Sequence, residues 1–160
     1  MHVKRTRRIR RQGTTMVETA FVALILFTFM FAIFEFGRVV MMYQVLNSAA
    51  RTGARQAVII PTSYVAPATA DAQVRTTISN ALAGHQFGNP TDPVIQIYQA
   101  NSSGNNIGAW TQTPFGNNIV VQIDADYPLL FPTFGFIPNT GTAANSMHMS
   151  VKCMMRSEAN

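Results

Sequence analysis

From residue 19 to residue 34 the chain reads TAFVALILFTFMFAIF, sixteen residues without a charge, in which only Thr19 and Thr28 are polar. No other stretch limits the fold so strongly. As a helix the run rises about 24 Å, and adding the residues back to Thr14, Glu18 among them, brings it to about 31 Å, the thickness of a hydrocarbon core. A buried helix of a soluble domain is the alternative. This run is apolar on every side, however, and 160 residues leave little protein to wrap it. A membrane span accounts for it better.

A cleavable secretory signal also starts basic and continues apolar. Here the apolar stretch outruns the usual length of about 7–15 residues and passes without a small-x-small site into FEFGRVVMMYQVLNSAARTGARQAV, so it reads as a retained anchor. Phe36, Val39, Val40, Tyr43, Leu46, Ala50 and Ala54 then recur at spacings of three and four. This spacing predicts one helix over residues 15–57, about 65 Å long, ended by Pro61 at the latest, whose second half is an amphipathic stalk in need of a partner surface.

The net charge of +5 and the pI near 10.0 suggest a phosphate-rich partner until the charges are placed. Lys4, Arg5, Arg7, Arg8, Arg10 and Arg11 hold half of the twelve basic residues within the first thirteen positions, where no acid occurs, and the rest of the chain is close to neutral. Positive charge directly before an apolar span keeps that end in the cytoplasm and sends the remainder across. The arm has no interleaved aromatics and abuts the anchor, so nucleic acid is not an expected partner.

Beyond the stalk, a short helix is expected over 70–83, with Thr69 as N-cap, Val74, Ile78 and Leu82 on one face and Gly84 as terminator. Residues 94–100 and 118–127 read as strands around a Gly/Asn/Ser-rich loop, and Met147, Met149, Val151, Cys153 and Met155 alternate with His148, Ser150, Lys152, Met154 and Arg156 as a third. Pro128, Pro132, Gly135 and Pro138 mark an ordered hydrophobic loop, whose 129–137 stretch either contacts a partner or covers the sheet. The expected fold is therefore α+β: a long N-terminal transmembrane-plus-stalk helix, then a small domain with a short helix and an antiparallel sheet of about three strands. Residues 1–13 form a basic leader, 14–57 the membrane helix and stalk, and 58–160 the exported domain.

Where charge meets the apolar run stands RRQG-TTMVE, with Glu18 five positions after Gly13. A carboxylate in hydrocarbon costs about 2.5–3.5 kcal/mol on insertion scales, so it calls for a cation. Cutting after Gly13 frees the α-amino group of Thr14, with an ordinary pKa of about 7.7–8.0, one helical turn from Glu18. It also puts Glu18 near a helix N-terminus, where the dipole favours negative charge.

The leader, the glycine, the glutamate at mature position five and the apolar helix resemble a class III or type IV-like prepilin signal. More closely, Arg10-Arg11-Gln12-Gly13, Val17-Glu18, Glu35-Phe36-Gly37-Arg38 and Ala49-Ala50-Arg51-Thr52-Gly53-Ala54-Arg55-Gln56-Ala57 resemble the TadE-like minor pilins or pseudopilins of the tight-adherence (Tad/Flp) pilus system. The resemblance covers about residues 10–57. It departs from the pattern in having Thr19 where an aromatic residue often follows the glutamate, and Gln12 between the basic pair and Gly13. It implies a single-pass protein of the bacterial inner membrane, matured after Gly13 by a prepilin peptidase. Its partners would be other pilus subunits, the inner-membrane assembly platform and the lipid bilayer, and its role would lie in adherence. The alternative is an unprocessed anchor that displays an extracytoplasmic binding or sensor domain.

The remaining candidates have plain readings beside functional ones. Glu35 and Arg38, three apart, make a local ion pair at the outer membrane boundary. Gly37, Ala49, Ala50, Gly53, Ala54 and Ala57 suit either close approach of helices between subunits or packing on the chain's own domain. Asp124 and Asp126 share a strand face without identifiable further ligands, so no metal is expected. Cys153, the one cysteine, reads as a buried hydrophobe. With no GxSxG, GxxxxGK[ST] or HExxH in the chain, no enzyme activity and no cofactor are expected, and the protein reads as a peptidase substrate instead.

Overall fold

The computed structural model describes residues 12–60, 64–88, 93–130, 140–142 and 145–158. The basic leader up to Arg11, the helix-ending Pro61 and the loop expectation from residue 131 to 137 lie outside these. Helix α1 (Gln12–Ile59) is one unbroken element of 48 residues, three residues earlier and two later than the spacing predicts. Its two halves meet different surroundings. From Thr14 to Phe34 nothing buries it, as Met16 at 76%, Phe21 at 64% and Ile33 at 72% exposure illustrate. The hydroxyls of Thr19 and Thr28 donate to the carbonyls of Thr15 and Leu24, each at 2.8 Å, so both polar side chains of the run are satisfied within the helix.

From Glu35 onward the helix carries a buried stripe: Val39, Met42, Leu46, Ala49, Ala50, Gly53, Ala54, Ala57 and Val58. This corrects the phase read from the sequence. Phe36, Val40 and Tyr43 share the three-and-four spacing but stay exposed, while Met42 faces the core. Apolar residues occur on both faces here, so periodicity alone does not choose between them.

Helix α2 (Pro67–Leu82) packs on α1 through Ala70, Val74, Ile78 and Leu82. Its start also differs from expectation. Pro67 opens the helix after Ala66, no side chain caps it, and Thr69 lies inside it. A proline at the first helical position gives up no hydrogen bond and is already held near the helical φ. Gly84, with φ of +86°, follows the C-cap Ala83 in the left-handed region where glycine carries no Cβ penalty.

Four strands form an antiparallel sheet in the order β2-β1-β3-β4: β1 (Val94–Ala100), β2 (Asn106–Ala109), β3 (Asn118–Pro128) and β4 (Ser146–Arg156). The extra strand, β2, is exposed at all four positions and lies in the loop that shows no alternation. The register sets Ile95 opposite Ile123, and Val151 opposite Ile123 on the other side, so these side chains share the inner face with Val121 and Ala125. Helix α1 packs on that face over β3 and β4, and the buried side of α2 joins the same apolar cluster. On the outer face Tyr98, Ala100 and Val120 make a small separate cluster. A 3-10 turn, Trp110–Gln112, swings Trp110 under α2, where its indole N–H donates to Asp71 at 3.0 Å. Arg75 ties the same corner, bonding Asp71 at 2.6 Å and the carbonyl of Ile95 at 2.7 Å.

Candidate functional site

The N-terminal half of α1 carries the sequence-derived processing and assembly residues. Gly13 and Thr14 lie in its first turn, and Glu18 follows Thr14 by one turn on the exposed surface, beside Val17 and Phe21. Among the described residues no cation meets the Glu18 carboxylate. The apolar helix it introduces is long and apolar enough to cross a membrane, with a mean hydropathy of 2.3 over its richest window.

Glu35 and Arg38 are the junction between this bare helix and the folded domain. The spacing predicts a local ion pair at the outer membrane boundary, and Arg38 does meet Glu35. In the structure Glu35 is 2% exposed, because the end of β3 closes over it and the backbone N–H of Leu130 donates to its Oε1 at 3.1 Å. Arg38 places Nη1 3.4 Å from both carboxylate oxygens, and its guanidinium lies 5.3 Å from the ring centre of Tyr127. Burial pushes the Tyr127 phenol above its ordinary pKa, with Arg38 opposing and Glu35 reinforcing the shift. The result is a clasp that fixes where the domain begins. Counting from Thr14 to Phe34, it leaves about 31 Å of uncovered helix, which matches the hydrocarbon thickness.

Sequence reasoning missed Tyr127 and Leu130, which stand more than ninety positions beyond Glu35. The only signal was that Tyr127 ends an alternating apolar set. A cleft of about 440 Å³ opens beside the clasp, lined by Arg38, Met41, Met42, His85, Tyr127 and Leu130 among others.

The two glycines singled out on α1 part company. A Cβ on Gly53 would lie 2.5 Å from Cδ1 and Cγ1 of Ile78, so its close approach is to α2 of the same chain. Ala49, Ala50, Ala54 and Ala57 are buried in the same core. Gly37 has nothing within 4 Å and stays open to a neighbour.

Asp126 is 3% exposed and accepts from the Thr142 N–H at 2.7 Å and the Thr142 hydroxyl, while its Oδ1 meets His148 Nδ1 at 2.8 Å. It pins residues 140–142 to the sheet. Asp124 accepts from Gln122 at 2.8 Å. Among the described residues no three His, Cys, Asp or Glu side chains gather as metal ligands would. Cys153 is half-buried, and burial raises its thiol pKa against the pull of Arg51 and Arg55.

Residues 13–55 match the model of the TadE-like protein family. No curated protein and no solved structure gives a significant match.

Proposed function

We propose, taking the TadE-like segment at residues 13–55 as premise, that this chain is a minor pilin or pseudopilin of a Tad/Flp pilus. It is anchored in the bacterial inner membrane by α1 with its N-terminus cytoplasmic, and a prepilin peptidase matures it after Gly13. The observation that carries the proposal is the bare helix with Glu18 near its start. About 31 Å of apolar surface runs uncovered from Thr14 to the Glu35 clasp, and a carboxylate lies exposed where hydrocarbon would surround it. An amine created at Thr14, or on a neighbouring subunit, supplies the missing cation.

In this reading the protein has a structural role rather than a catalytic one. The open face around Gly37, Phe36, Val40 and Tyr43 packs against other pilus subunits, and the assembly platform and the bilayer are the other partners. Charge matching at Glu18 guides entry into the filament. The test is Glu18→Gln, followed in cells that make the pilus. The variant should reach the membrane at the normal level but enter sheared filaments at a small fraction of the wild-type amount. Equal incorporation would defeat charge matching, whereas absence of both the wild-type chain and the variant from sheared filaments would favour an unprocessed anchor that only displays its domain.

A further inference from the structure

We propose that the free edge of β4, from residue 150 to residue 156, receives an acidic extended segment of another polypeptide as a fifth strand of the sheet. The register of β4 on β3 decides which backbone groups are available. Just past the strand, Ser157 donates to the Asn117 carbonyl at 2.7 Å and accepts from the Gly116 N–H at 3.0 Å, so odd-numbered residues of β4 hydrogen-bond inward to β3. Even-numbered ones point outward. Two contacts agree with this: the His148 N–H donates to Thr140 Oγ1 at 3.1 Å, and the Ser146 carbonyl accepts from the Gly141 N–H at 3.0 Å.

Those contacts cap the edge only at its first two outward positions. Ser150, Lys152, Met154 and Arg156 are exposed, and their outward N–H and C=O groups meet no backbone partner among the described residues. The open stretch spans about 20 Å, the length of an ordinary strand. Long bare edges are templates for pairing, and native proteins usually shorten or cover them. Here, among the described residues, one part is covered and one is left open.

Charge identifies the occupant. Lys152 projects from the outer face of the edge strand, Arg156 at its end donates Nε to the Gly116 carbonyl at 2.6 Å, and Arg51 and Arg55, exposed on α1, act on Cys153 from the inner side. Of the nearest acids, Asp124 sits one strand in and already accepts from Gln122, while Glu158 lies past the strand's end. A second copy of this chain pairing edge to edge would bring two sets of these cations onto one seam, where like charges repel. An acidic strand gains from the same arrangement. The site is also well placed, because Arg51 stands about 24 Å along α1 from the Glu35 clasp, away from the uncovered apolar helix.

The experiment uses the full chain in neutral detergent micelles and a blocked, fluorescently labelled nonapeptide alternating valine and glutamate, with a valine-lysine peptide as control. Anisotropy should show binding of the acidic peptide alone. Amide exchange at Lys152 and Met154 should slow at least about tenfold on binding, with Val151 and Cys153, already paired to β3, unchanged. Lys152→Glu should weaken binding by about two- to five-fold or more. Met154→Pro, which removes an outward donor at a position where edge strands tolerate proline, should abolish it. Trp110 fluorescence checks that each variant folds, and if the proline variant does not, Lys152→Glu and the exchange pattern decide. Three results would overturn the proposal: uniform or absent protection, binding that survives both substitutions, or outward amides already protected in a dimer of the chain and released on dilution.

Discussion

Replacing Arg38 by alanine removes the only cation that the described structure offers to the buried Glu35. The carboxylate, 2% exposed, would keep, among the described residues, only the Leu130 N–H at 3.1 Å. Breaking a fully buried pair costs about 3–5 kcal/mol. Arg38 keeps 28% of its side chain in solvent and its contacts are long at 3.4 Å, so screening brings this down to about 2 kcal/mol. Losing the cation over Tyr127 adds about 0.5–1 kcal/mol, giving a total of about 2–3 kcal/mol. Glu35→Gln keeps an acceptor for Leu130 and should cost only about 1 kcal/mol. Combined, the two substitutions should cost about 1 kcal/mol less than their sum, because the double variant no longer buries an unpaired charge. Urea unfolding of the full chain in detergent, read from its single tryptophan, 3% exposed under α2, measures all three. Additive effects below about 0.5 kcal/mol each would refute the clasp as the element that fixes domain to helix.

Gly53→Val should destabilise by about 1–3 kcal/mol, because Ile78 occupies the space, whereas Gly37→Ala, with nothing within 4 Å, should gain up to about 1 kcal/mol in the isolated subunit; thermal unfolding compares them. Asp126→Ala should cost about 2–3 kcal/mol and speed amide exchange at Thr142, whose N–H it holds. Burial works to raise the Asp71 pKa, but the bonds from Arg75 and Trp110 outweigh it and hold the value below the ordinary 3.8. The stability it contributes is therefore complete above about pH 4 and lost as the pH falls through the lower folded value, and Asp71→Asn should flatten that acid limb of the unfolding curve.

How far the residues announce this structure depends on how local each cause is. The long helix, the three alternating strands and α2 follow from patterns within ten or twenty residues, and each appears within a few residues of its expected place. The buried face of the stalk does not, because Phe36, Val40 and Tyr43 are as apolar as Val39 and Met42, and only the sheet's position separates them. Strand β2 has no alternation to read, since all four of its residues are exposed. The burial of Glu35 depends on a backbone N–H ninety-five positions away, which no spacing rule reaches. The small-residue run illustrates a true ambiguity: alanine and glycine at helical spacing permit close approach without naming the partner, and at Gly53 that partner is Ile78 of the same chain. Glu18, by contrast, was conspicuous at once, since a lone carboxylate opening an apolar run contradicts its surroundings.

The pilin reading turns on whether the chain is cut between Gly13 and Thr14. Intact mass and N-terminal sequencing of the protein extracted from membranes of pilus-producing cells measure this directly. The account predicts a chain that begins at Thr14, with all six basic leader residues gone. A chain that still begins at Met1, or one cut at any other bond, would contradict it.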